Sequence, residues 1–242
     1  MAKPKRIILV RHGQSIGNAD KTVFQHTADH SLHLTDKGME QAQNVGKELY
    51  ELLGESSIRA YVSPYKRTRM TFENIKLGAP KLNIIKASED PRIREQDFGH
   101  LRPIDAFELI DKERTMFGTF FYRIPDGESG ADTYDRISSF LDSLWRDFKK
   151  EDYPENTLIV SHGLTIRLFC MRWFHWTVEE FERLRNPMNC EKVILELDGD
   201  KYKLITPFRE YTLEETASWK ENYKTKEDYR TTATGGTKPW MH

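Results

Sequence analysis

The sequence predicts an α/β fold in three αβα layers, a mostly parallel central sheet between two sets of helices. Two observations carry that expectation. The apolar runs Ile7-Ile8-Leu9-Val10 and Thr157-Leu158-Ile159-Val160 are too short for a helix core and read as strands buried on both faces. Each ends in a histidine-glycine pair, His12-Gly13 or His162-Gly163, ahead of a segment with helical spacing. A chain of 242 residues suits one such domain, expected over residues 1–210, with a polar tail over 211–242 that lacks apolar periodicity apart from Trp219.

The first strand runs into Arg11-His12-Gly13-Gln14-Ser15-Ile16-Gly17-Asn18, where Gly13 and Gly17 mark a turn of close backbone approach. In an open α/β sheet that strand end, beside the N-terminus of the next helix, is where anions bind. Arg11 offers a fork of donors for phosphate oxygens, and His12 an imidazole nucleophile with an unperturbed pKa of about 6.5. Residues 20–34 are polar and irregular. Nothing aligns His26, His30 and His33 on a helix, so the loop is expected to border the cleft rather than to bind a metal.

Thr35 reads as the N-cap of an amphipathic helix through Met39, Ala42, Val45, Leu49 and Leu53, ending near Gly54. Ile58–Val62 reads as a second buried strand, which Ser63-Pro64 turns into another helix. Lys66, Arg67 and Arg69 open that helix, and because neighbours diverge by about 100°, one of them can enter the cleft. A short strand follows at 82–85. The charged stretch 90–99 carries two apolar anchors, Ile93 and Phe98, and two candidate proton donors, Glu95 and Asp97.

Residues 104–121 read as a helix with an aromatic end. The Pro- and Gly-punctuated loop 123–130 puts Arg123 and Glu128 at the rim, and Ser129 or Asp132 caps a helix through Ile137, Phe140, Leu144 and Trp145. Beyond His162-Gly163 a helix passes through Ile166, Leu168, Phe169 and Trp173. Residues 193–197 and 202–205 form a hairpin around Asp198-Gly199-Asp200 that closes one sheet edge. If the two His-Gly strands are neighbours, their imidazoles face one pocket.

The 37 Lys and Arg nearly balance 38 Asp and Glu, so nothing marks a nucleic acid or acidic membrane partner, and any anion site is local. Cys170 and Cys190 lack the paired spacing of a zinc or redox site and are expected to be reduced. No stretch approaches the length of a signal sequence or a membrane span, which leads to the expectation of a cytoplasmic protein.

Taken in order, Arg11-His12-Gly13-Gln14-Ser15 with Asn18, Ser63-Pro64 followed by Arg67-Thr68 and Thr71, Glu95 before Phe98-Gly99, and Ser161-His162-Gly163 form an ordered set. With these motifs the chain resembles the histidine phosphatase superfamily, the cofactor-dependent phosphoglycerate mutases and their phosphatase relatives, over roughly residues 6–205. Residues 91–99, 120–136 and 167–181 look closest to its eukaryotic broad-range acid phosphatase branch. The resemblance implies a phosphoglycerate mutase-like fold, phosphorylation of His12, and Glu95 as proton donor. It maps the phosphate pocket onto Arg11, Arg67 and His162 with Asn18 beside them, and Gly163 and Arg123 complete the expected substrate-binding set.

Gln14 stands where the family more often has Glu. Where the mutases carry a substrate-holding lysine this chain reads His100-Leu101-Arg102-Pro103, and in place of an arginine pair Arg123 follows, so phosphatase is implied more strongly than mutase. The implied activity is phosphomonoester hydrolysis through a phosphohistidine, of broad specificity and mildly acidic optimum, with no metal or cofactor. The alternatives are a phosphoglycerate mutase or other phosphotransferase, and a non-catalytic phosphate-binding protein. The implied partner is a small phosphorylated substrate, and no oligomeric state is specified.

Overall fold

The computed structural model describes residues 3–99, 103–212 and 214–215. His100, Leu101 and Arg102, and the expected tail apart from residues 211, 212, 214 and 215, lie outside the described residues. Six strands, β1 (Arg6–Arg11), β2 (Ile58–Val62), β3 (Ile84–Glu89), β4 (Asn156–Ser161), β5 (Lys192–Asp198) and β6 (Lys201–Leu204), form one sheet in the order β3-β2-β4-β1-β5-β6. The first four are parallel, and the β5–β6 hairpin runs antiparallel at the β1 side. Arg11 pairs with Ser161 across β1 and β4, so His12 and His162 leave neighbouring strands at the same level.

Helices α1 (Ile16–Ala19), α2 (Asp36–Leu53), α3 (Lys66–Gly78), α4 (Ile104–Phe117), α5 (Gly130–Asp147), α6 (Gly163–Phe174) and α7 (Val178–Arg183) complete the chain. The period of two along the strands sorts their side chains onto opposite faces. Ile7, Leu9 and Ile159 pack with Ile137 and Phe140 of α5 and with Ile166 and Phe169 of α6. Ile8, Val10 and Val160 pack instead with Val45 and Leu49 of α2 and with Phe72 and Ile75 of α3. Two cores, one on each side of the sheet, are what makes the fold three-layered. Each fully buried aliphatic or aromatic side chain in them contributes roughly 1.5–3 kcal/mol.

On the second face α2 and α3 touch backbone to backbone. A Cβ at Gly46 would lie 2.2 Å from the Ile75 carbonyl oxygen, and one at Gly78 2.0 Å from that of Gln43. This contact seats α3, the helix that carries Arg67. Caps match the sequence reading: Gly38 N donates to Thr35 Oγ1 at 3.1 Å, and Ser129 and Asp132 form a reciprocal capping box on α5.

Some elements differ from expectation. After β1 the chain makes only the single turn α1, so no full-length helix begins beside His12. β3 starts at Ile84 and continues to Glu89, past the expected 82–85, because it is an edge strand whose exposed residues carry no apolar signal. α4 stops at Phe117, where Gly118 takes a φ of 87°, and Phe120 turns inward to pack at 5.9 Å from the Phe181 ring. α7, capped by Thr177 and Glu180, has no counterpart in the sequence reading. Beyond Thr206 the chain is still held: Phe208 packs on Trp176, and Tyr211 N donates to the Arg183 carbonyl at 2.9 Å. No helix among the described residues is long and apolar enough to cross a membrane.

Candidate active site

The turn after β1 is pressed onto the start of α2. A Cβ on Gly13 would sit 2.4 Å from the Gly38 carbonyl oxygen, and one on Gly38 2.1 Å from that of Gln14, so both positions require glycine. Thr71 of α3 ties this turn to its own helix, accepting from Gly13 N at 3.0 Å and donating to the Arg67 carbonyl at 2.7 Å. Strand β1 and helix α3 therefore present His12 and Arg67 to each other.

His12 is 3% exposed. Its Nδ1 lies 2.7 Å from the Gly13 carbonyl oxygen, which can only accept, so the proton is on Nδ1 and the lone pair on Nε2. Arg67 Nε donates to that Nε2 at 3.2 Å. The His162 ring stands behind it, fully buried, with centroids 5.2 Å apart and its Nε2 2.7 Å from Ser63 Oγ. Arg11 is anchored by Nη1 donating to the Pro187 carbonyl at 2.6 Å. Arg11 Nε and His162 Nδ1 are buried polar atoms with no hydrogen-bond partner among the described residues.

Arg11, His12, Asn18, Arg67 and Glu95 line one cavity, together with Ser15, Lys21, Phe24, Asp29, Phe98, Phe107 and Asp111. Asn18 Oδ1 accepts from Ser15 N and from Asn189 Nδ2, which locks it over the one-turn helix α1. Of the three cations opening α3, Arg67 is the one that turns inward; Arg69 pairs with Glu89 at the surface. Asp97 faces an adjoining cavity lined by His30 and Tyr65. Gly163 opens α6, where a Cβ would meet the Asn186 side chain at 3.0 Å, and it does not line the main cavity.

The structure does not bring Arg123 to the cavity. Its guanidinium donates to Asp132 Oδ1 at 2.7 Å and to the Gly127 carbonyl, so it braces the start of α5. The reason is proximity: the loop that carries Arg123 bridges back to Ser129, the N-cap of α5, and Asp132 in the first turn of that helix captures it. Arg114 of α4 lies nearer the site, donating to Gln96 Oε1 at 2.8 Å with its guanidinium over the Phe98 ring.

Glu95 is held from both sides. Ser161 Oγ donates to the Ile93 carbonyl at 2.8 Å, and the Thr165 hydroxyl lies 2.9 Å from the Arg94 carbonyl and 3.2 Å from Glu95 Oε1. Arg136 of α5 donates to the carbonyls of Arg92, Arg94 and Glu95, and its remaining donors engage Glu128. Burial pushes the Glu128 carboxyl up, but hydrogen bonding and charge from Arg136, the Asp97 N–H and Arg94 outweigh it and hold the group below its ordinary value. Sequence reading missed Arg136 as a site-building residue, since an arginine in mid-helix carries no signal of the three carbonyls it collects.

Burial, reinforced by the charges of Arg67 and Arg11, holds His12 well below its ordinary 6.5, although the bond to the Gly13 carbonyl pulls the other way. His162 is lowered in the same way by burial, Arg67 and His12. In the unfolded chain both take up a proton as pH falls through about 6.5, whereas the folded state refuses it. Stability is therefore full above that pH and declines below it, by up to about 1.4 kcal/mol per pH unit for each histidine. Urea midpoints of the wild type are expected to fall more between pH 7 and pH 5 than those of His12→Ala; equal falls would show that His12 does not resist protonation. Among the described residues no group of three or more His, Cys, Asp or Glu is placed to hold a metal ion.

Comparison with known proteins agrees with this arrangement. Residues 7–208 match the histidine phosphatase superfamily (branch 1). The chain is similar to the phosphoglycerate mutase-like protein AT74 of Arabidopsis thaliana, at 46% identity across 89% of this chain and 72% of that protein. It is also similar to the broad-range acid phosphatase DET1 of Saccharomyces cerevisiae, at 30% identity across 87% of this chain and 91% of that protein. The solved structure of the open reading frame Rv3214 product of Mycobacterium tuberculosis superposes with a TM-score of 0.62 at 25% identity, over 83% of this chain and 95% of that one. With two imidazoles leaving neighbouring parallel strands of a mostly parallel sheet and the family model matched over residues 7–208, the chain belongs to the histidine phosphatase superfamily.

Proposed function

We propose that this chain is a phosphomonoester hydrolase that acts through a phosphohistidine on small phosphorylated substrates, with broad specificity and a mildly acidic optimum. The observation that carries this reading is His12 Nε2, left unprotonated and met by Arg67 Nε, on a residue that lines one cavity with Arg11, Arg67 and Glu95. Phosphoryl transfer asks for a nucleophile in line and for compensation of charge on three equatorial oxygens. Arg67 and Arg11 line the cavity and supply that charge, and Arg11 Nε has no other partner among the described residues; His162, expected in the phosphate pocket, is fully buried against Ser63 and does not line the cavity.

In the first half-reaction His12 Nε2 attacks phosphorus and the ester oxygen leaves with a proton from Glu95. In the second, Glu95 as carboxylate takes a proton from water, whose oxygen attacks phosphorus; the P–N bond breaks, its electron pair returns to His12 Nε2, and inorganic phosphate is released. Glu95 Oε1 accepts from Gln96 N and lies 3.2 Å from the Thr165 hydroxyl, which supports Oε2 as the atom that carries the proton. The depressed pKa of His12 keeps the nucleophile unprotonated on the acid side of neutrality, which supports an acidic optimum. The buried, unpaired Cys170 and Cys190 fit a reducing setting such as the cytoplasm.

Phosphate release from p-nitrophenyl phosphate between acid and neutral pH, in a chelating buffer, tests the reading. Turnover with a maximum on the acid side is expected. Transfer of phosphate to an added acceptor without net release would identify a phosphotransferase instead, and activity restored only by a divalent metal would remove the metal-free mechanism.

A further inference from the structure

Arg67 is oriented by a residue on the loop between α1 and α2. Its guanidinium presents five N–H donors in a rigid plane. Nη1 donates to Asp29 Oδ1 at 2.8 Å and to the Asp29 carbonyl at 2.7 Å, and Nη2 donates to Asp29 Oδ2 at 3.1 Å. Both Nη1 hydrogens and one Nη2 hydrogen are thereby consumed. What remains is the edge formed by Nε and the second Nη2 hydrogen, and Nε is the atom that faces His12 Nε2 at 3.2 Å.

The pair is shielded: the side chain of Arg67 is 5% exposed and that of Asp29 24%, and the Tyr65 ring lies 4.9 Å below the guanidinium carbon. Asp29 opens the 3-10 turn Asp29–Ser31, in the same loop that brings Lys21 and Phe24 to the cavity wall. A carboxylate standing in phosphate's own place would take the Nε edge against His12. Asp29 takes the opposite one.

We propose that Asp29 is a positioning residue for phosphoryl transfer: its carboxylate and carbonyl hold the end of the Arg67 fork so that the Nε and Nη2 edge meets the phosphoryl group on His12. The inference rests on the phosphohistidine reading of the same site. Without the Asp29 carboxylate the arginine keeps its charge, its bond from Nη1 to the carbonyl of residue 29 and its attraction for a phosphate dianion, but it loses two of the three contacts that fix the angle favouring the trigonal transition state over the tetrahedral ground state. Loss of Asp29 is thus felt in kcat, and little in KM.

The test compares full-length wild type with Asp29→Ala and Asp29→Asn by titrating orthovanadate, which becomes trigonal bipyramidal on a nucleophile, and inorganic phosphate, which stays tetrahedral. Asp29→Ala is expected to weaken vanadate about tenfold or more and phosphate no more than about threefold, with kcat falling in step with vanadate. Asp29→Asn keeps an acceptor oxygen and should fall between; it also carries the test if the alanine variant does not fold. Equal weakening of both anions, unchanged values for both, or tighter phosphate binding with undiminished vanadate each overturn the proposal. A wild type that binds both anions without releasing phosphate from any ester would sink the hydrolase reading, while the vanadate-to-phosphate ratio of the variants still decides the role of Asp29. A wild type that binds neither anion overturns both.

Discussion

His12→Ala is expected to abolish turnover, with a loss of about 10⁴-fold or more, as found when a covalent nucleophile is deleted. The geometry offers no substitute. His162 is fully buried behind His12, and its Nε2 is committed to Ser63. Arg11 and Arg67 would still hold the substrate, so the variant should bind inorganic phosphate within a few-fold of the wild type while failing to release it from an ester. The decisive observation is covalent. Wild type mixed with radiolabelled substrate and quenched in alkali should carry label on His12, and the variant none. Residual activity above about a tenth, or label persisting in the variant, would move the nucleophile elsewhere.

Glu95→Gln should separate substrates by their leaving groups. Glutamine keeps an acceptor for the Gln96 N–H and the Thr165 hydroxyl, so the segment stays in place and only the exchangeable proton is lost. For alkyl phosphates, whose alkoxides need that proton, kcat/KM is expected to fall by roughly 10²–10⁴-fold. For p-nitrophenyl phosphate the phenolate departs almost unaided, and kcat/KM should fall far less. Because the same carboxylate activates water in the second step, the aryl substrate should show a burst of phenolate followed by a slow steady state. Equal losses of kcat/KM on both substrates would remove Glu95 from the donor role, and a missing burst would remove it from the water step.

The contrast between Arg67 and Arg123 shows where sequence reading stops. The rotation of an α-helix predicts that one of Lys66, Arg67 and Arg69 turns inward, but not which one. The backbone contacts of Gly46 with α3 and of Gly78 with α2 set the roll of the helix, and with it the choice of Arg67. Arg123 shares its residue type and loop context with a phosphate ligand, yet Asp132 sits within reach and captures it. Asp29 and Arg136 gave no signal for the converse reason. Their partners, Arg67 and the carbonyls of residues 92–95, are distant in sequence and are found only after α2, α3 and α5 have packed.

By itself the sequence determined the strand cores, the caps of α2 and α5, and the two His-Gly turns at strand ends, because these depend on side-chain type and on periods of two or 3.6 residues that operate within one segment. Helix spacing left the cation that faces His12 open and the family resemblance named Arg67; tertiary structure alone decided which carboxylate holds it there and what braces Glu95. Those choices are competitions among charged groups for partners across the fold, and burial sets their outcome, since it weakens screening and makes an unpaired polar group costly.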